Sequence, residues 1–174
     1  MIEVFRLKFG AVVIFIFLFV TNVQAAVVYV PDSYAKIQWA VDNTTTGDVV
    51  IVRNGTYQEV VTINKRLNLV GEGKLLVKGR IILNASGIRI KGFQIEGLYP
   101  DPCLDVLSDC NVILDNDLTS GLVNEYRIWL NDGIRTTSDN NIIAGNSIHT
   151  CSSGIKLTGS NNIIVNNNIF NCLY

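Results

Sequence analysis

Apolar residues along this chain stand two apart. Ile81 and Leu83, Ile88 and Ile90, and Ile155 and Leu157 follow this spacing, which belongs to a strand with one buried face rather than to a helix. β-Branched residues dominate these pairs, and Gly, Asn, Ser and Asp punctuate them every four to seven residues, a texture no helix survives. The short strands recur at a longer period. Gly133-Ile134 through Cys151 reappears as Gly154-Ile155 through Cys172, each matched residue 21 positions on, including Asn140/Asn161, Asn141/Asn162, Ile142/Ile163 and Asn146/Asn167. An offset of 30 lays Cys103 to Leu118 onto Gly133 to Ile148, and an offset of 23 lays Ile81 to Ile95 onto Leu104 to Leu118.

A fixed period near 20 residues marks a solenoid. Built of short strands and tight turns, and layered at ~4.8 Å per coil, it is an all-β, single-stranded parallel β-helix. Four columns become its stacked core: Ile81/Leu104/Ile134/Ile155, Leu83/Val106/Thr136/Leu157, Ile90/Ile113/Ile143/Ile164 and Ile95/Leu118/Ile148/Ile169. The column Phe93/Asn116/Asn146/Asn167 places three asparagines over one another at a turn, where each amide is expected to bond its neighbour as a structural ladder.

The N-terminal part reads differently. Val27 to Val30 is a strand, Pro31-Asp32-Ser33 a turn and helix start, and Ile37, Ala40 and Val41 fall at helical spacing before Asn43 to Gly47 ends the helix. A short helix of this kind caps the first open coil of a solenoid, so residues 26–47 form strand and cap and residues 48–174 the coils, about six of them. The chain stops at Tyr174 directly after a complete repeat. An uncapped coil exposes strand edges, so the expectation is a truncated member of a longer family, with pairing of the open end to a protein partner as the alternative.

Composition and charge narrow the role. A length of 174 residues and 48% hydrophobic content suit one domain with a continuous core. Net charge of −1, with no basic cluster beyond Lys65-Arg66, gives no electrostatic case for nucleic acid. Arg6 and Lys8 precede an apolar run from Phe9 to Val20, and Val23-Gln24-Ala25 has a small-x-small cleavage pattern. Residues 1–25 therefore read as a secretory signal peptide. Left uncleaved, the segment would be a membrane anchor, although the run is short for a span of ~20 residues. The expected location is secreted or extracytoplasmic, in a periplasm or at a cell surface.

Export makes disulfides permissible. Cys151 and Cys172 share a slot of adjacent coils, within the separation a disulfide tolerates, while Cys103 and Cys110 would pair only across a corner; a stack of buried free thiols is the alternative for both. Three sequons, Asn43-Thr44-Thr45, Asn54-Gly55-Thr56 and Asn84-Ala85-Ser86, permit glycosylation.

The opening run resembles a known family. Ile37 to Asp42, Gly47 to Val52, Asn54-Gly55-Thr56-Tyr57, Val60 to Ile63 and Leu67 to Gly73 are similar to the start of the right-handed β-helix proteins called NosD-like, and Ser86 to Phe93 and the Asn-Asn-Ile-Ile units resemble their internal repeats. The resemblance covers roughly residues 27 to 172 and implies right-handedness. More distantly the opening resembles pectin methylesterases, pectate lyases and polygalacturonases. Those enzymes need clustered carboxylates or an Asp–Arg set on one face. Asn131-Asp132-Gly133-Ile134 is similar to the first acidic polygalacturonase motif, but the slot for the paired Asp reads Cys151-Ser152-Ser153-Gly154. No catalytic residue is assigned, and no cofactor.

Between Leu118 and Ile134 lie nine more residues than between Ile148 and Ile155. This excursion carries Glu125, Tyr126, Arg127 and Trp129 and leads to Asp132, a set suited to a sugar or uronate through stacking and bidentate hydrogen bonds; the alternative is that Trp129 and Leu130 fold back onto the coils. The leading expectation is a non-catalytic protein that recognises a polysaccharide or cell-envelope partner. A rival is a carbohydrate-active lyase or hydrolase using Asp132, Glu125 and Arg127. The NosD-like resemblance implies a third, a copper-handling accessory, for which His149, Cys151 and Cys172 are the candidate ligands.

Overall fold

The computed structural model describes residues 24–121 and 131–174. In chain order its elements are β1 (Val27–Val30), α1 (Ile37–Asn43), β2 (Val49–Val52), β3 (Gly55–Ile63), β4 (Asn68–Gly71), β5 (Leu75–Leu83), β6 (Arg89–Lys91), β7 (Gln94–Gly97), β8 (Leu104–Val106), β9 (Val112–Leu114), β10 (Asp117–Ser120), β11 (Ile134–Thr136), β12 (Ile142–Ala144), β13 (Ser147–His149), β14 (Ile155–Leu157), β15 (Ile163–Val165) and β16 (Asn168–Phe170). Among the described residues every strand pairing is parallel. One sheet runs β1-β2-β4-β6-β9-β12-β15; the other runs β14-β11-β8-β5-β7-β10-β13-β16, with β3 also on β5.

The second sheet forks at β5. Its first half pairs with β7 (Val77 opposite Ile95) and its second half with β8 (Ile81 opposite Leu104), so later coils carry three short strands. The bend falls at Gly79, whose φ of +149° and whose missing Cβ, which would strike the Glu59 carbonyl, both require glycine. The register of the core columns follows the offsets of 23, 30 and 21 residues: Ile90 lies opposite Ile113, Ile143 opposite both Ile113 and Ile164, and Ile148 opposite both Leu118 and Ile169.

Corners explain the punctuation. Gly92, Asp115, Gly145 and Asn166 form one column with positive φ, and Gly87, Cys110, Asn140 and Asn161 form another. Gly and Asn tolerate this left-handed backbone best. The next residue turns inward. There Asn116 Oδ1 accepts the Phe93 N–H at 3.0 Å, Asn146 Oδ1 accepts the Asn116 N–H at 3.0 Å, and Asn167 Oδ1 accepts the Asn146 N–H at 2.9 Å. A second column, which the sequence reading did not single out, does the same at the other corner: Asn111, Asn141 and Asn162 accept the N–H groups of Ile88, Asn111 and Asn141, each at 2.8 Å. A third corner, at Thr150 and Asn171 with φ of 54° each, turns Cys151 and Cys172 inward.

Two expectations about the N-terminus need correction. Pro31 to Ser33 is a turn, but the helix begins only at Ile37, after an extended Lys36. In place of a local side-chain cap, the Glu59 carboxylate on β3 accepts the Ile37 and Gln38 N–H groups at 3.1 Å each. The stack also starts one strand earlier than Asp48, because β1 pairs with β2 in register, Val27 opposite Val49. The helix packs against β1, β2 and β3 and buries Ile37, Ala40 and Val41.

Asp48 secures this start. Its carboxylate accepts the Ala26 N–H at 2.9 Å, the Thr45 N–H at 2.7 Å and the Thr45 hydroxyl at 2.9 Å. The Thr45 and Ala26 backbone hydrogen bonds, foremost among its causes, hold the carboxyl below the usual aspartate value. Folded-state depression means that the contribution is complete above the unfolded value of about 3.9 and is lost as pH falls through the lower folded value. Thermal unfolding of Asp48→Asn should therefore depend less on pH below about pH 4 than that of the parent. Identical acid slopes would contradict this role.

Candidate functional site

Parity along each strand decides which side chains reach solvent. On β10 and β13 the residues flanking inward Leu118 and Ile148 point out, and two outward columns result: Gln94/Asp117/Ser147/Asn168 and Glu96/Thr119/His149/Phe170. The His149 Nε2 lies 3.2 Å from Asp117 Oδ1, and its Nδ1 lies 3.3 Å from the Thr150 hydroxyl. One coil on, the Phe170 ring stacks on the imidazole at 5.0 Å with planes 17° apart. The ring remains 41% exposed. Beside these columns lies a cleft of about 410 Å³ whose lining includes Lys74, Gln94, Asp115 and Asp117; a second, of about 270 Å³, is lined by Glu96, Thr119, Ser120 and Gly121. This face combines an apolar ring, an imidazole, carboxylates and amides around concave surface. Such a set can hold a polyhydroxylated ligand by stacking and multiple hydrogen bonds.

The face of β8, β11 and β14 is arranged differently. Asp105, Arg135 and Lys156 follow one another in register. Asp105 is buried and accepts two hydrogen bonds from Arg135, at 3.1 Å from Nε and 2.7 Å from Nη2. The Asp105 hydrogen bonds push the guanidinium pKa further up. Arg80 adds a 2.6 Å pair with Asp101. Asp132, from the expected binding set, lies 3.9 Å from Lys156 Nζ. These charges answer one another across coils, so the face is self-neutralised. Glu125, Tyr126, Arg127 and Trp129 lie outside the described residues, as does the Trp129 fold-back.

The expected copper set is not brought together. His149 follows inward Ile148 and points out toward Asp117, whereas the Cys151 sulfur is buried and donates to the His149 carbonyl at 3.2 Å. Among the described residues no group of three or more His, Cys, Asp or Glu side chains is placed to hold a metal. All four cysteines are free thiols. Cys103 does not face Cys110, which is exposed at a left-handed corner; its sulfur meets that of Cys151, and this contact together with burial pushes the Cys151 thiol far up. Burial also raises Cys172. A thiol held protonated is a poor nucleophile and metal ligand.

The signal for Asp117 and Phe170 was present in the sequence. Both occupy outward slots beside core positions already identified as a column, and only parity had to be read.

Residues 79–173 match a family model described as a right handed beta helix region. Over 105 residues the chain is 29% identical to a protein named "Cell surface glycoprotein" from Methanothermus fervidus, covering 56% of this chain. It spans 18% of the length of that relative. No solved structure matches. With parallel coils in register and a family match across more than half its length, the chain belongs to the right-handed β-helix family.

Proposed function

We propose that this chain is an exported, surface-displayed β-helix that binds a polysaccharide or cell-envelope glycan without cleaving it, on the outward face of β7, β10, β13 and β16. The observation that carries the reading is the Phe170–His149 ring pair beside Asp117, with carboxylates and amides lining the adjoining clefts. Aromatic rings offer sugars an apolar platform, and planar carboxylates and amides take hydroxyl groups in pairs. Display at a surface is supported by the name of the Methanothermus fervidus relative and by the signal-like residues 1–25. Within the family, the Ser86 to Phe93 unit and the Asn-Asn-Ile-Ile repeats favour the NosD-like group.

A glycan array probed with the full chain, Phe170→Ala, Asp117→Asn and Trp129→Ala tests this reading. Binding by the parent should be lost in the first two variants and kept in the third. Loss in Trp129→Ala alone would move the site to the excursion, and release of breakdown products would make the protein an enzyme.

A further inference from the structure

The three sequons differ sharply in what surrounds them. At Asn43 the Nδ2 donates to the Trp39 carbonyl at 2.8 Å, Thr44 is buried, and the Thr45 hydroxyl is held by Asp48 at 2.9 Å. Asn84 and Ser86 are also exposed, but the Asn84 Nδ2 is engaged, donating to Asn64 Oδ1 at 2.8 Å. Its backbone runs inside the stack, with coils on both sides: the Asn84 N–H donates to the Ile63 carbonyl at 2.9 Å, and the preceding Leu83 carbonyl accepts from Leu107 at 2.9 Å. Asn54 is arranged the opposite way. Its Oδ1 accepts the Lys74 N–H at 2.6 Å, which fixes the side chain through its oxygen rather than through the amide nitrogen.

The rest of that sequon is equally accessible. Asn54, Gly55 and Thr56 are all exposed, and Gly55 and Thr56 begin β3, whose only strand neighbour among the described residues is β5. Along its other edge β3 is held by α1 only further on, where Gln38 bonds the Thr62 N–H at 2.7 Å and the Thr62 carbonyl at 3.2 Å, six residues beyond Thr56. A cleft of about 450 Å³, lined by Pro31, Asp32, Arg53, Asn54, Glu72 and Gly73, adjoins the side chain. It leaves room for a bulky substituent.

We propose that Asn54 is an N-glycosylation site and that it is the one sequon of the three open to modification in the folded chain. The donor is an oligosaccharide carried on a lipid pyrophosphate, and an oligosaccharyltransferase catalyses the step. The Asn54 Nδ2–C1 bond forms, the C1–O bond to the pyrophosphate breaks, one amide proton is lost and the lipid pyrophosphate leaves. The inference shares with the proposed function only its premise of export, and the test does not depend on that premise.

Full chain made in a host without such a transferase is folded, then incubated with a purified oligosaccharyltransferase and a lipid-pyrophosphate-linked oligosaccharide. Intact mass and peptide mapping give the readout, and a free peptide spanning residues 50–60 serves as the positive control. One glycan mass on the parent is expected, mapped to Asn54, lost in Asn54→Gln and in Thr56→Ala, and retained in Thr56→Ser. Modification of the peptide but not of the folded chain would overturn the proposal, as would a mass increment that persists in Asn54→Gln.

Discussion

Asn146→Leu should unfold this protein far more readily than its conservative volume suggests. Asn146 is wholly buried, its Oδ1 accepts the Asn116 N–H, and its Nδ2 donates to the Ile113 carbonyl at 3.1 Å. Leucine fills similar space but bonds neither group, and each buried polar group left unsatisfied costs about 1–3 kcal/mol. Chemical denaturation should show the midpoint falling by the equivalent of at least one such group, with an unchanged slope. The equivalent change at Asn167 should cost less, because that side chain is only partly buried. An unchanged midpoint in Asn146→Leu would remove the asparagine columns from the account of stability.

The second large effect concerns the apolar columns. Ile143 and Ile164 occupy the same slot one coil apart, the first 0% and the second 42% exposed. Truncating a fully buried isoleucine to alanine costs about 2–5 kcal/mol through lost transfer energy and the cavity left behind. Ile143→Ala should approach that range, and Ile164→Ala should fall well short of it, because its side chain already meets solvent. Equal losses in parallel melts would mean that Ile164 is covered in solution.

Much of the architecture was legible because a β-helix repeats its own arithmetic. Ile90, Ile113, Ile143 and Ile164 were placed in one column by sequence offsets alone, since each coil must present the same inward slot to the one below. Asn116, Asn146 and Asn167 followed for the same reason. The second asparagine column was harder to see, as its lowest member is Ile88 and the serines that anchor its amides, Ser108 and Ser138, sit three residues away. In sequence β1 looks like part of the cap because the intervening helix breaks the period, although its Val-rich text pairs directly with β2.

The candidate site was less legible, for a physical reason. Outward slots are free to vary, so nothing in the repeat marks Asp117, His149 or Phe170 as neighbours until the register is fixed. His149 and Cys151 stand two apart in sequence. The left-handed corner at Thr150 separates them, sending the ring outward and the sulfur inward. Cys103 likewise neighbours Cys151 rather than its nearer sequence neighbour Cys110, because both thiols turn into the core while Cys110 sits exposed at a left-handed corner.

The most direct test of glycan recognition on this face is residue-resolved NMR of the full chain titrated with a bound oligosaccharide from the array. Amide shifts clustered at Gln94, Asp117, His149 and Phe170, with the Asp105–Arg135 face unmoved, are the predicted result. Shifts confined to residues 122–132, or to the Asp105–Arg135 face, would contradict the assignment.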